Sequence, residues 1–228
     1  KLNPQLTADT LCFTGKIIDP FNVSKNVDPE IALKIEKVEK ELKAAGVECN
    51  FDKNNLVLAG VIKNCLHNIN KAGFQLPDRV VSESEIFLPF LMLGKPATGF
   101  FKFIDPKKPQ ENQIIYNSLL NWEIPIDNQP PEHHIYHEIG HYLHFKANPE
   151  MYLKLFKSAK EYKFKDELRD QIEKEVSLKA TENITEFVAD VFAGLMQGKQ
   201  YSDNIMRFYN GFGGQHPPEG WDVMREKI

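Results

Sequence analysis

The spacing of apolar positions divides the chain into a helical beginning, a strand-like middle and a helical end. Ile31, Ile35, Val38 and Leu42 recur at helical spacing after Asp28-Pro29-Glu30, which combines an N-cap acid, a proline pre-set for the first turn and a first-turn acid. Gly46 is placed to end that helix. A second helix is expected over 56–71, where Leu56, Ala59, Ile62, Cys65, Leu66 and Ile69 share one side before Gly73. Two helices are therefore expected before any strand of the sheet. The period then shortens: segments 79–81, 86–88, 99–104 and 113–116 are brief, β-branched or aromatic, and separated by Pro and Gly. They predict a small sheet whose last two strands form a hairpin across the turn-rich 105–109.

Helical spacing returns after Pro130-Pro131 and runs to about Lys146. Asn148-Pro149-Glu150 repeats the cap signal and starts a helix through Met151, Leu155 and Ala159. The charged run 163–179 is expected to continue as exposed helix. Residues 181–197 form a further apolar helix stopped by Gly198, and 202–210 a short one before an irregular tail. The fold class this predicts is α+β, with N-terminal helices, a small mixed twisted sheet, a histidine-bearing helix and a mainly helical C-terminal part. A single domain spans 1–228, divided into an irregular 1–27 with a short strand at 16–18, then 28–147 and 148–228.

Composition narrows the function classes. A net charge of −4 gives no basic surface for nucleic acid. No apolar run approaches the roughly 20 residues of a membrane-spanning helix, since the run at 87–93 is broken by Pro89 and followed by Gly94. Cys12, Cys49 and Cys65 are odd in number, form no Cys-x-x-Cys pair and lie far from the histidine cluster at 133–144, so they read as buried or half-buried thiols. Neither the compartment nor the oligomeric state follows from the sequence. A soluble chain, including one secreted or delivered as an effector, fits it.

Five of the seven histidines fall between His133 and His144. At 3.6 residues per turn, His137 and His141 stand one turn apart on one face, where two imidazole nitrogens can meet one metal ion. Glu138 lies beside them and can act on a metal-bound water as general base without itself occupying the metal. Zinc would bring the pKa of that water from about 16 toward 7. The pattern continues to His144 and Ala147, where His-x-x-Gly-x-x-His peptidases need Gly and His, so the metzincin reading fails. His133, His134 and His144 are expected to support the site, line a cleft or lie on the surface.

A catalytic zinc usually keeps three protein ligands. Glu182, Glu186 and Asp190 form one acidic stripe on the downstream helix, which on its own could be a solvated face. Glu186 and Asp190, however, sit among Phe187, Val188, Val191 and Phe192, where an unpaired acid is costly. Glu186 is therefore expected as third ligand and Asp190 as the acceptor that orients His137, with Glu182 the alternative ligand.

His137-Glu138-Ile139-Gly140-His141 followed by Glu186-Phe187-Val188-Ala189-Asp190 resembles the gluzincin branch of the zincin metallopeptidases. The run from Ser177 to Gly214 is similar to compact lethal-factor-like and phage-encoded peptidase domains. The resemblance implies a zincin-like fold with one zinc per chain, and a rim strand over Gly99, Phe100 and Phe101 that pairs with an extended protein or peptide substrate. That group carries a tyrosine about two turns before the glutamate ligand, donating to the oxyanion; this chain has Lys179 there. Lys179, Tyr201, Tyr209 and His216 are the candidates for that role. The function implied is a zinc-dependent endopeptidase; the alternative is a zinc-bearing pseudo-peptidase used for binding or assembly.

Overall fold

The computed structural model describes residues 27–84, 87, 97–102, 112–159 and 162–224. Helix α1 (Pro29–Ala44) opens as its cap signal requires, Asp28 accepting the N–H of Glu30 at 2.8 Å. Gly46, at φ +90°, turns the chain out of the helix and into strand β1 (Glu48–Asn50). Helix α2 (Leu56–Lys71) is capped by Asn55, which accepts from Leu58 N–H and donates its amide to the Ser118 carbonyl at 2.9 Å. Strands β2 (Arg79–Glu83), β3 (Gly99–Lys102) and β4 (Gln113–Asn117) complete a mixed sheet in the order β1-β2-β4-β3. β1, β2 and β4 run parallel, and β3, antiparallel to β4, is the outermost strand among the described residues.

β1 overturns the expectation that two helices precede any strand of the sheet. Three residues are too few to show alternation, and the strand exists because Arg79–Val81 takes up its backbone groups. Of the segment expected as a strand at 86–88, only Phe87 is described; it donates its N–H to the Ser84 carbonyl in a turn rather than joining the sheet. The strand expected at 16–18, Cys12 and the connector at 105–109 lie outside the described residues.

The sheet register explains where the core sits. Val80, Ile114 and Phe101 form one row across the sheet and pack into the main helical core, whereas Val81, Ile115 and Phe100 form the next row and face a smaller cluster with Phe87. Successive side chains on a strand point to opposite faces, so the two rows cannot share one core. Tyr116 belongs to the helical side, and its hydroxyl donates to the Ile135 carbonyl at 3.0 Å. That bond joins the sheet to helix α3 (Pro131–Ala147), which carries the histidines.

Helices α4 (Pro149–Lys157), α5 (Asp166–Glu175), α6 (Ile184–Met196), α7 (Asp203–Gly211) and α8 (Trp221–Met224) follow. Three boundaries correct the sequence reading. The charged helix is shorter than 163–179. The apolar helix starts at Ile184 rather than Thr181, because Asn183 is extended and its side chain caps the N–H of Glu186 at 3.0 Å. Lys179–Thr181 forms a separate 3₁₀ turn between them. The tail is not wholly irregular either, since Trp221 is buried and donates its indole N–H to the Met196 carbonyl at 3.0 Å, anchoring α8.

Helix α3 is buried nearly all round from His133 to Phe145. Its closest neighbour is α6: a Cβ at Gly140 would stand 3.1 Å from Ala189 Cα and 3.2 Å from its carbonyl oxygen. Backbone yields less readily than a side-chain tip. Gly140→Leu is accordingly expected to push α3 and α6 apart and to destabilise the fold by about 1–3 kcal/mol. Urea denaturation checks this, and a midpoint equal to that of the wild type would refute the close-packing role.

Candidate metal centre

A helix buried on all sides that carries His133, His137, Glu138, His141 and His144 has to satisfy those polar groups internally. Packing against α6 does so for three of the histidines, His133, His137 and His141. His137 Nδ1 lies 2.5 Å from Asp190 Oδ1, which fixes the ring proton on Nδ1 and turns the Nε2 lone pair the other way. His141 Nε2 is 3.1 Å from His137 Nε2, and Glu186 offers Oε2 at 3.1 Å from His137 Nε2 and Oε1 at 3.3 Å from His141 Nε2. The ligand atoms of His137, His141 and Glu186 all lie within 4.8 Å of one another.

These separations suit a metal ion better than they suit hydrogen bonds. Ligand atoms about 2.0–2.1 Å from a tetrahedral zinc are spaced by about 3.3 Å, close to the spacing found here. Glu186 Oε2 is fully buried without a well-directed hydrogen bond, although a glutamate at this third helical position commonly reaches back to its cap residue. Its carboxylate turns to the histidines instead. Residues present therefore fit a divalent cation held by two imidazoles and a carboxylate.

The electrostatics agree. Burial opposes ionisation of Asp190, but His137 and His133 overcome it and hold its carboxyl well below the usual carboxylate range. Burial likewise opposes the charge on Glu186, and His141 and His137 more than offset it. For His137, burial and Lys179 favour the neutral ring, yet Asp190 and Glu186 raise its pKa to about 9. The cluster thus attracts positive charge, a demand that a proton or a metal ion can meet.

Of the four candidates for an oxyanion donor, only Lys179 reaches the cluster. Its Nζ is 3.1 Å from His137 Nε2 and 3.3 Å from Glu186 Oε2. Burial disfavours its charge, but Glu186, Glu138 and Asp190 keep the ammonium protonated. Tyr209 instead donates to the Gln215 carbonyl at 2.5 Å, His216 bonds Asn210, and Tyr201 packs with its hydroxyl against Gly194. Glu182, the alternative ligand, is exposed and lines a surface groove with Tyr162, Arg169 and Leu178. The capped start of α6 separates it from Glu186.

Glu138 is 3% exposed and adjoins β3, where a Cβ at Gly99 would come within 3.3 Å of Glu138 Cγ and 2.8 Å of the Ile115 carbonyl oxygen. Three further residues join the centre: His133, one of the histidines expected to support the site, line a cleft or lie on the surface, and Tyr152 and Ser177, to which the sequence reading assigns no role. His133 Nε2 lies 3.3 Å from Asp190 Oδ1, Tyr152 hydroxyl lies 3.4 Å from His141 Nδ1, and Ser177 hydroxyl donates to Asp190 Oδ2. His133 stands four residues before His137, a spacing that could have placed it on the same face. Ser177 and Tyr152 carry no comparable signal. His134 turns away to the Ile126 carbonyl at 3.0 Å.

His144 is buried, and neither ring nitrogen makes a hydrogen bond of good geometry. Burial, helped by His141 and only moderated by the Phe212 carbonyl, lowers its pKa to about 4. The folded state binds this proton less readily than the unfolded chain, so stability is full above about pH 6.5 and falls as pH drops toward 4. The slope is about 1.4 kcal/mol per pH unit for one such group. His144→Leu is expected to lose that part of the acid sensitivity. Urea titrations of both proteins in chelator at pH 7.5, 5.5 and 4.5 measure it, and parallel slopes would refute it.

Comparison with protein families, with characterised proteins and with solved structures finds no match for this chain. The fold and site define a mixed α+β protein with a buried His-His-Glu cluster able to hold a metal ion. Among the described residues, no helix is long and apolar enough to cross a membrane.

Proposed function

We propose that this chain is a zinc-dependent endopeptidase of the zincin type, gluzincin branch, acting on a protein or peptide. The observation that carries the reading is the convergence of His137 Nε2, His141 Nε2 and Glu186 on one point, with Asp190 behind His137. Glu138 supports catalysis in particular, since a purely structural metal site has no use for a carboxylate next to its ligands.

His137, His141 and Glu186 would hold the zinc, which when bound supplies an acidified water and polarises the scissile carbonyl. Asp190 keeps the His137 proton on Nδ1, so that Nε2 stays available. Glu138 takes the proton from the attacking water and returns it to the leaving amine. Lys179 Nζ, beside His137 Nε2 and Glu186 Oε2, is placed to donate to the developing oxyanion. The substrate backbone is proposed to align along β3, the last strand in the order of the described sheet, at Gly99, Phe100 and Phe101, next to Glu138. Phe101 is buried in the core and Phe100 packs beneath the other face, so main-chain groups rather than these rings meet the substrate.

Protein purified without a histidine tag is expected to carry about one zinc per chain and to cleave members of a peptide library, with loss of cleavage in chelator. Less than about half an equivalent under non-chelating conditions would sink the metal reading. Zinc without cleavage would favour the pseudo-peptidase alternative.

A further inference from the structure

Asp190 is 3% exposed and receives more than its partner His137. Oδ1 faces His137 Nδ1 at 2.5 Å and His133 Nε2 at 3.3 Å, while Oδ2 accepts the hydroxyl of Ser177. Ser177 has spent its proton on that carboxylate, and its oxygen accepts the N–H of Ala180 at 2.9 Å. The same Ala180 is the middle residue of the 3₁₀ turn that bears Lys179. One hydroxyl therefore joins the carboxylate behind His137 to the segment that delivers the ammonium to the front of it.

We infer that Ser177 is a positioning residue, locking the Asp190 carboxylate and the Lys179 turn into one unit around His137. The inference rests on the metal reading of the site. A carboxylate free to rotate would leave the His137 ring less well aimed, and partners of this kind usually contribute about 10–100-fold to metal affinity. Without an acceptor for Ala180 N–H, the turn keeps its own 3₁₀ bonds, which are geometrically poor, and the Thr181 hydroxyl on the Leu178 carbonyl, and it loses its tie to the Asp190 side of the centre. His133, with Nδ1 3.1 Å from Gln197 Oε1, buttresses Asp190 Oδ1, whereas Oδ2 is held by Ser177 among the described residues. Sequence distance hides the arrangement, because Ser177 lies 13 residues from Asp190.

The test compares the full chain with its Ser177→Ala, Ser177→Cys and Ser177→Thr variants. Zinc affinity is read by chelator competition, ligand geometry by the visible absorption of the cobalt-substituted protein, and the turn by hydrogen exchange at the Ala180 amide. Ser177→Ala is expected to bind zinc about 10-fold or more weakly, with shifted cobalt bands and a faster-exchanging Ala180. Ser177→Cys keeps the volume but hydrogen-bonds poorly, so it should behave the same way and exclude a packing defect. Ser177→Thr retains hydroxyl and acceptor and should restore all three readouts. Wild-type affinity and cobalt spectrum in the alanine and cysteine variants would overturn the inference while leaving the metal reading intact. A wild-type chain that binds neither zinc nor cobalt would sink the metal reading, and this inference with it.

Discussion

Glu138→Gln is expected to keep about one zinc per chain and to lose peptide cleavage by roughly 10²–10⁴-fold, the range attributable to a positioned general base. Glutamine matches glutamate in size, so the buried site beside Gly99 should not repack. What disappears is the capacity to accept a proton. None of the close contacts among His137, His141 and Glu186 involves Glu138, which is why metal content should stay the same. Zinc stoichiometry and library cleavage rates on one preparation decide the matter. A chelator-sensitive activity equal to that of the wild type would remove Glu138 from the mechanism.

Glu186→Ala is expected to weaken zinc binding by more than the roughly 10–100-fold that partners behind the ligands contribute, whereas Glu182→Ala leaves it unchanged. The two acids lie four residues apart and are equivalent by helical spacing alone. The extended Asn183 breaks that equivalence: Glu182 precedes the cap and is exposed, while Glu186 sits in the first turn of α6 and faces both histidines. Removing Glu186 also leaves His137, His141 and Lys179 close together without their shared carboxylate. Chelator competition on the two variants gives the answer. Equal loss in both, or loss only in Glu182→Ala, would reassign the third ligand.

Much of the helical framework is legible because its signals are local. Asp28, Asn148 and the glycines 46 and 198 act within a turn of where they stand, and α2 is found over the expected 56–71. The pairing of His137 with His141 is legible for the same reason, since one turn of helix fixes it whatever surrounds it. Glu186 and Asp190 could be selected from the acidic stripe because their apolar neighbours imply burial, and Asp190 is indeed buried against His137.

Other features depend on contacts that no local rule carries. β1 is a strand only through its parallel partner some 30 residues away, and the outermost position of β3 among the described strands follows from the whole strand order. Lys179 stood first among four candidates for the oxyanion donor on its place in the motif alone; the fold sends Tyr201, Tyr209 and His216 to other partners and brings Lys179 to the cluster. By itself the sequence determined two imidazoles on one helical face, a carboxylate beside them and a buried acidic pair downstream. Tertiary structure decided which acid meets the histidines, which cation stands next to them, and that Ser177 and Tyr152 belong to the centre at all. Helical periodicity acts across a few residues, whereas these choices depend on how closely α3 and α6 approach at Gly140, a distance set by packing.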